Sequence, residues 1–113
     1  MLAKFVPKRF IVHSFNKVSE QKEFLINQQP LFSAMYFRAA WNPMCKTADV
    51  NFQKYSDYNP HVLCTQFDCD QDDFAAKYYA IKHEPEFIRC LYGHEMARVI
   101  GDDLEYVDTK MKE

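Results

Sequence analysis

The chain has no apolar run approaching the roughly eighteen to twenty residues that a membrane-spanning helix needs, so no such helix is expected. It contains two glycines, Gly93 and Gly101, which leaves no room for a glycine-rich phosphate loop. It has no C-x-x-C and no H-x-x-x-H spacing, so His61, His83, His94 and the four cysteines do not read as a zinc site. No internal repeat, low-complexity tract or Ser-His-Asp signature is present. A net charge of −2 gives no general case for nucleic acid. Four cysteines without a secretory signal do not make a disulfide framework, and reduced thiols are expected. Cys64 and Cys69 differ in parity along one strand, so they point to opposite faces and cannot pair within it.

What is present is one domain's worth of core-forming residues: 113 residues, 48% apolar and 16% aromatic. Charge is uneven. Residues 1–17 hold four of the fourteen basic residues (Lys4, Lys8, Arg9, Lys17) and none of the sixteen acidic ones. With Leu2, Phe5, Val6, Phe10 and Ile11 this is a composition compatible with mitochondrial import, and equally with a basic tail entering a first strand. Residues 1–9 are read as a basic extension and 10–113 as the domain.

The patterning predicts a strand over 10–15, a helix capped by Ser19 and ended at Gln28-Gln29-Pro30, and a buried strand over 31–38. A second helix from 43 to about 55 follows, then a turn at Asp57-Tyr58-Asn59-Pro60 and a strand over 61–67. A third helix over 72–79, strands over 86–92 and 95–100 turning at Gly93-His94, and a short final helix marked by Leu104, Val107 and Met111 complete the chain. Strands alternating with helices before a closing hairpin predict an α/β layer fold.

Trp41-Asn42-Pro43-Met44-Cys45-Lys46 resembles the thioredoxin active-site segment, in which Trp precedes two cysteines spaced C-x-x-C and a Lys follows. The likeness extends through the apolar strand before it, Asp70 and the helix after it, Pro85 at the family's cis-proline position, and both glycines. It covers roughly residues 10–107. The resemblance implies a thioredoxin-like α/β fold: a central mixed sheet of four to five strands flanked by helices, with a short C-terminal helix.

The departures from that pattern concern chemistry. Asn42 stands where the family has its attacking cysteine, and a carboxamide forms no thiolate and no mixed disulfide. Tyr36 replaces the buried acid before the loop, Gln66 replaces its lysine partner, and Glu84 precedes Pro85 where Thr, Ile or Val is usual. Asn followed by Pro instead suits the start of a helix. Cys45 is expected as a buried packing group. Trp41, Asn42, Pro43, Met44 and Cys45 are thus read as a vestigial active-site segment, with no catalytic residue, no metal ligand and no cofactor. The run Asp68-Cys69-Asp70-Gln71-Asp72-Asp73 begins like a calcium loop but has Asp73 for the required glycine and Tyr79 at the twelfth position.

From this reading the chain is expected not to be an enzyme, its dithiol oxidoreductase activity lost. It is expected to be a non-catalytic subunit of a hetero-oligomeric assembly, with a mitochondrial respiratory-chain complex as the named example and cytoplasm as the alternative location. Its partners are other protein subunits, met through Trp41, Met44, Glu84 and Pro85. Two alternatives stand beside it: a monothiol redox protein using Cys45, and a chaperone-like binder of peptides.

Overall fold

The structure is a computed structural model and describes residues 12–70 and 74–100. The element order is β1 (Val12–Phe15), α1 (Val18–Gln28), β2 (Phe32–Arg38), α2 (Met44–Tyr58), β3 (Val62–Asp68), α3 (Phe74–Tyr78), β4 (Glu86–Leu91) and β5 (His94–Ile100). The five strands form one mixed sheet in the order β1-β3-β2-β4-β5. β3 runs parallel to both β1 and β2, and β4 is antiparallel to β2 and β5. The predicted extension over 1–9, Asp72 of the third helix, Gly101 and the final helix lie outside the described residues.

β2 is central because it is apolar on both faces; its interior, from Ser33 to Phe37, is buried throughout. Its even-numbered residues Ala34 and Tyr36 join Ala48, Phe52, Tyr55, Val62, Cys64, Phe87 and Val99 under α2. Its odd-numbered residues Met35 and Phe37 join Val18, Phe67, Ala75, Ala76, Ile88 and Cys90 on the side of α1 and α3. Cys64 and Cys69 fall in opposite clusters, and all four cysteines are buried and outside any disulfide. In α2 the buried positions Cys45, Ala48, Phe52 and Tyr55 recur every three or four residues, the spacing of one helical stripe. Val50 faces solvent.

Three of the boundaries that shift from the sequence reading have a clear local cause. The first helix starts at Val18 behind Lys17, and no side chain caps it, so Ser19 is not its cap. The second helix runs to Tyr58 and ends as Asn59 N–H bonds the Tyr55 and Ser56 carbonyls; the turn expected at residue 57 is still helical. The hairpin turns through Tyr92 and Gly93 rather than Gly93-His94, because His94 already pairs with Leu91. Tyr92 (φ 52°) and Gly93 (φ 81°) both take the left-handed region demanded by a two-residue turn that matches strand twist. A methyl on Gly93 would meet no atom within 4 Å, so its φ and not crowding calls for glycine.

Candidate functional site

The site forms where β2 ends and β4 begins. Phe37 pairs with Glu86 across these antiparallel strands, so the segment leaving β2 lies beside the segment entering β4. The first carries Trp41, Asn42 and Pro43; the second carries Glu84 and Pro85, joined by a cis peptide bond as the resemblance implied.

The Trp41 loop is tied down on several sides. The Asp70 carboxylate accepts the Ala40 N–H, and Cys69 N–H donates to the Arg38 carbonyl (2.8 Å). Asn42 N–H donates to the Ala39 carbonyl (3.1 Å), and the Asn42 carbonyl accepts Cys45 N–H (3.0 Å). The Asn42 side chain works in two directions. Its Oδ1 accepts Met44 N–H at 3.0 Å, the reach of a capping side chain, while Pro43 already has helical dihedrals (φ −60°, ψ −27°). Its Nδ2 donates to the Glu84 carbonyl at 2.7 Å. The expected Asn cap is therefore present, and it also bridges to the other loop.

Above this framework Trp41 is 74% exposed and Met44 48% exposed. Glu84 is half-buried, and Pro85 is fully buried beneath them, so Pro85 shapes the surface without belonging to it. Cys45 is 1% exposed, its Sγ accepting Ala39 N–H at 3.4 Å. Burial pushes the Cys64 thiol up to about 12 and raises that of Cys90. His83 stands in the loop before Pro85, whereas His94 opens β5 at the far end of the hairpin.

Tyr36 fills the position expected for a buried acid, but a carboxylate is nonetheless present. Asp49, one helical turn beyond Cys45 on α2, accepts the Tyr36 hydroxyl at 2.7 Å, and that hydroxyl also reaches the Cys45 carbonyl at 3.3 Å. Arg38 clamps Asp49 with two bonds (2.9 and 3.0 Å) and reaches Asp68 at 3.0 Å. Burial and the adjacent Asp49 raise the Tyr36 phenol, and the bond to Asp49 raises the Arg38 guanidinium. Gln66 lies beside Tyr36 in the sheet and donates to Ser14 at 2.9 Å. Sequence reasoning missed Asp49, although its place four residues after Cys45 puts both on neighbouring parts of one helix face.

The cis-proline loop has its own anchor, also missed. Buried Glu86 pairs with Arg98 at 3.1 Å, and Arg98 bonds the Tyr79 carbonyl (2.9 Å) and the Ala80 carbonyl (3.0 Å) that lead into the loop. Asp68 and Asp70 have protein partners, and Gln71, Asp72 and Asp73 of the calcium-like run lie outside the described residues. Among the described residues no three His, Cys, Asp or Glu side chains converge, and no helix is long and apolar enough to cross a membrane. A hollow of about 520 Å³ lined by Leu25, Ile26, Gln29, Pro30 and Tyr92 opens at the other end of the sheet, near the hairpin turn; it is remote from the Trp41 loop.

No family model and no curated protein matches the chain. Solved structures do. A thioredoxin from Trypanosoma brucei brucei superposes with a TM-score of 0.81 at 20% identity, over 92% of this chain and 90% of that one. The oxidised mitochondrial thioredoxin 3 of Saccharomyces cerevisiae gives 0.79 at 20% identity, over 89% and 93%. Fasciola hepatica thioredoxin gives 0.82 at 18% identity, over 89% and 97%. The fold is the thioredoxin fold. This likeness overturns the expectation that the chain is not an enzyme. The structures it resembles are thioredoxins, dithiol oxidoreductases, described in oxidised and reduced forms. Asn42 removes one sulfur from the segment but leaves Cys45 in place.

Proposed function

We propose that this thioredoxin-fold protein docks a segment of a partner protein on the face made by Trp41, Met44 and Glu84. The observation that carries the reading is Trp41. A large aromatic ring stands 74% exposed on a loop held by Asp70 and Asn42. Aromatic residues on rigid supports supply contact area with little ordering cost, which is why they anchor interfaces. Met44 beside it adds a side chain that adapts to irregular surfaces. The partner is read as a neighbouring subunit of a hetero-oligomeric assembly. Two features support a mitochondrial setting: the basic, apolar composition of residues 1–17 and the fold shared with a mitochondrial thioredoxin. Respiratory-chain complexes are the first assemblies to test.

The test is capture of the native protein under gentle conditions, wild type against Trp41→Ala. The reading expects stoichiometric companions that Trp41→Ala loses by at least about tenfold in affinity, the scale of an interface anchor. Equal recovery with both chains, or sedimentation of the endogenous protein as a free 13.5 kDa monomer, would sink it.

A second reading, a redox role through Cys45, is favoured by one observation: the segment keeps this thiol on the fold of proteins that work in oxidised and reduced forms. Insulin reduction by the wild type, lost in Cys45→Ser, would establish it. Absence of reduction, with Cys45 labelled by iodoacetamide only after unfolding, would remove it.

A further inference from the structure

Asn42 is more than a helix cap. Three of its four bonds stay within residues 39–45 and would serve any capping residue. The fourth, and shortest, crosses 42 positions of sequence to the Glu84 carbonyl at 2.7 Å. That bond needs an N–H on the side chain. Asp has none, and the shorter Ser side chain carries only a hydroxyl, though both cap helices as well as Asn does. The far loop is held from behind by Arg98 through the Tyr79 and Ala80 carbonyls. The Asn42 side-chain amide therefore joins the two rims of the proposed docking face beyond the end of the β2–β4 ladder.

The geometry points to Asn42 as a latch that regulates this face. In the latched state the Glu84 carbonyl is occupied by the protein's own amide. An extended partner segment pairs with a receptor through backbone N–H and C=O groups. A partner N–H that takes the Glu84 carbonyl displaces Asn42 Nδ2, and the freed amide then donates to the partner's next carbonyl. One hydrogen bond is exchanged for another, so opening is nearly neutral in free energy. Because Trp41 adjoins Asn42, backbone pairing at Glu84 and placement of the aromatic anchor become one coupled event. The proposal rests on the docking reading of this face, but its test involves no partner, so either can fail without the other.

The experiment compares wild type with Asn42→Asp and Asn42→Ser by amide hydrogen exchange and by acrylamide quenching of Trp41, the only tryptophan in the chain. Both variants keep a capping oxygen for Met44 N–H and lose the amide donor; Asp also sets a carboxylate against the Glu84 carbonyl. Exchange across residues 83–88 should rise about fivefold in each, the effect of one lost hydrogen bond. Trp41 quenching should rise in step, with the amides of α2 unchanged. Unchanged exchange at 83–88 in both variants would overturn the proposal. So would an increase spread evenly through α2, which is what a cap alone would produce.

Discussion

The two faces of the sheet solve the same packing problem with different polar chemistry. Under α1 and α3 the buried polar groups away from the sheet edge are neutral. Gln21 donates to the Thr65 hydroxyl at 3.2 Å and accepts the Tyr79 hydroxyl at 2.7 Å, with Gln21 and Thr65 fully buried. Under α2, where Ser56 is also buried, charged groups take part: Asp49 accepts the Tyr36 hydroxyl, Arg38 bridges Asp49 and Asp68, and Arg89 lies over the Phe32 ring while donating to Tyr55. The difference follows from position. The neutral set is sealed between two helices and the sheet, where an ion would lose its water without return. The charged cluster at Arg38 sits at the rim, where β2 gives way to the Trp41 loop and side chains stay half-solvated. The Arg38 cluster thus places charge next to the candidate site.

The two aromatic cores should be the most sensitive points on each face. Phe37 stacks on Phe67 (5.5 Å) and meets Tyr79 (5.4 Å); Phe52 meets Tyr36 (5.2 Å) and Phe87 (5.5 Å). Phe37→Ala and Phe52→Ala should each cost about 3–5 kcal/mol, a large share of the roughly 5–15 kcal/mol that holds such a domain folded. Urea midpoints measure this. A cost under about 1 kcal/mol at either residue would show that its face is not a true core.

The apolar strand and the helix that carry these two rings are legible in the sequence, and so is the architecture. A strand apolar on both faces, a helix opening at Asn42-Pro43 and a proline after Glu84 are local signals, each readable within a few residues. Asp49 is not legible in that way, because its role depends on α2 crossing the sheet so that residue 49 meets residues 36 and 38. Arg98 on Tyr79 and Ala80, and Asn42 on Glu84, are likewise products of topology. Composition says that such partners exist; only the fold says which. The first-helix cap fails for a related reason: Ser19 has the right chemistry, but the chain enters the helix two residues earlier, with Lys17 at the cap position.

The polar sets should break unequally. Gln21→Leu leaves the buried Thr65 hydroxyl and the half-buried Tyr79 hydroxyl without their partner and should cost about 1–3 kcal/mol. Burial, with Tyr78 and Cys90 nearby, pushes the Tyr79 phenol up to about 12. Asp49→Asn should cost less, about 1 kcal/mol. The amide oxygen still accepts from Tyr36, Arg38 keeps Asp68, and half-solvated ion pairs contribute about 0–1 kcal/mol. Denaturation of both variants side by side checks the order. If Asp49→Asn proved the costlier, charge near the Trp41 loop would be structural rather than merely tolerated there.

The smallest effect is expected at the edge, where the α1/α3 face does carry an ion. Glu86 is 1% exposed, and burial raises its carboxyl above the ordinary value of 4.5; Arg98 and His83 oppose that rise, and Glu95 adds to it. The folded chain therefore holds this proton more tightly than the unfolded chain does. Its contribution to stability is complete below pH 4.5 and is lost as pH rises through the raised folded value. Glu86→Gln stays neutral, so its thermal midpoint should gain on the wild type as pH climbs from about 4.5 toward neutrality, then run level with that gain retained. Arg98 keeps Glu95 and the Tyr79 and Ala80 carbonyls in the variant, which limits what the lost pair can cost. Should the Gln variant instead fall behind the wild type over that range, Arg98's attraction would outweigh burial. The edge of the neutral face would then be held by charge, as the rim near the Trp41 loop is.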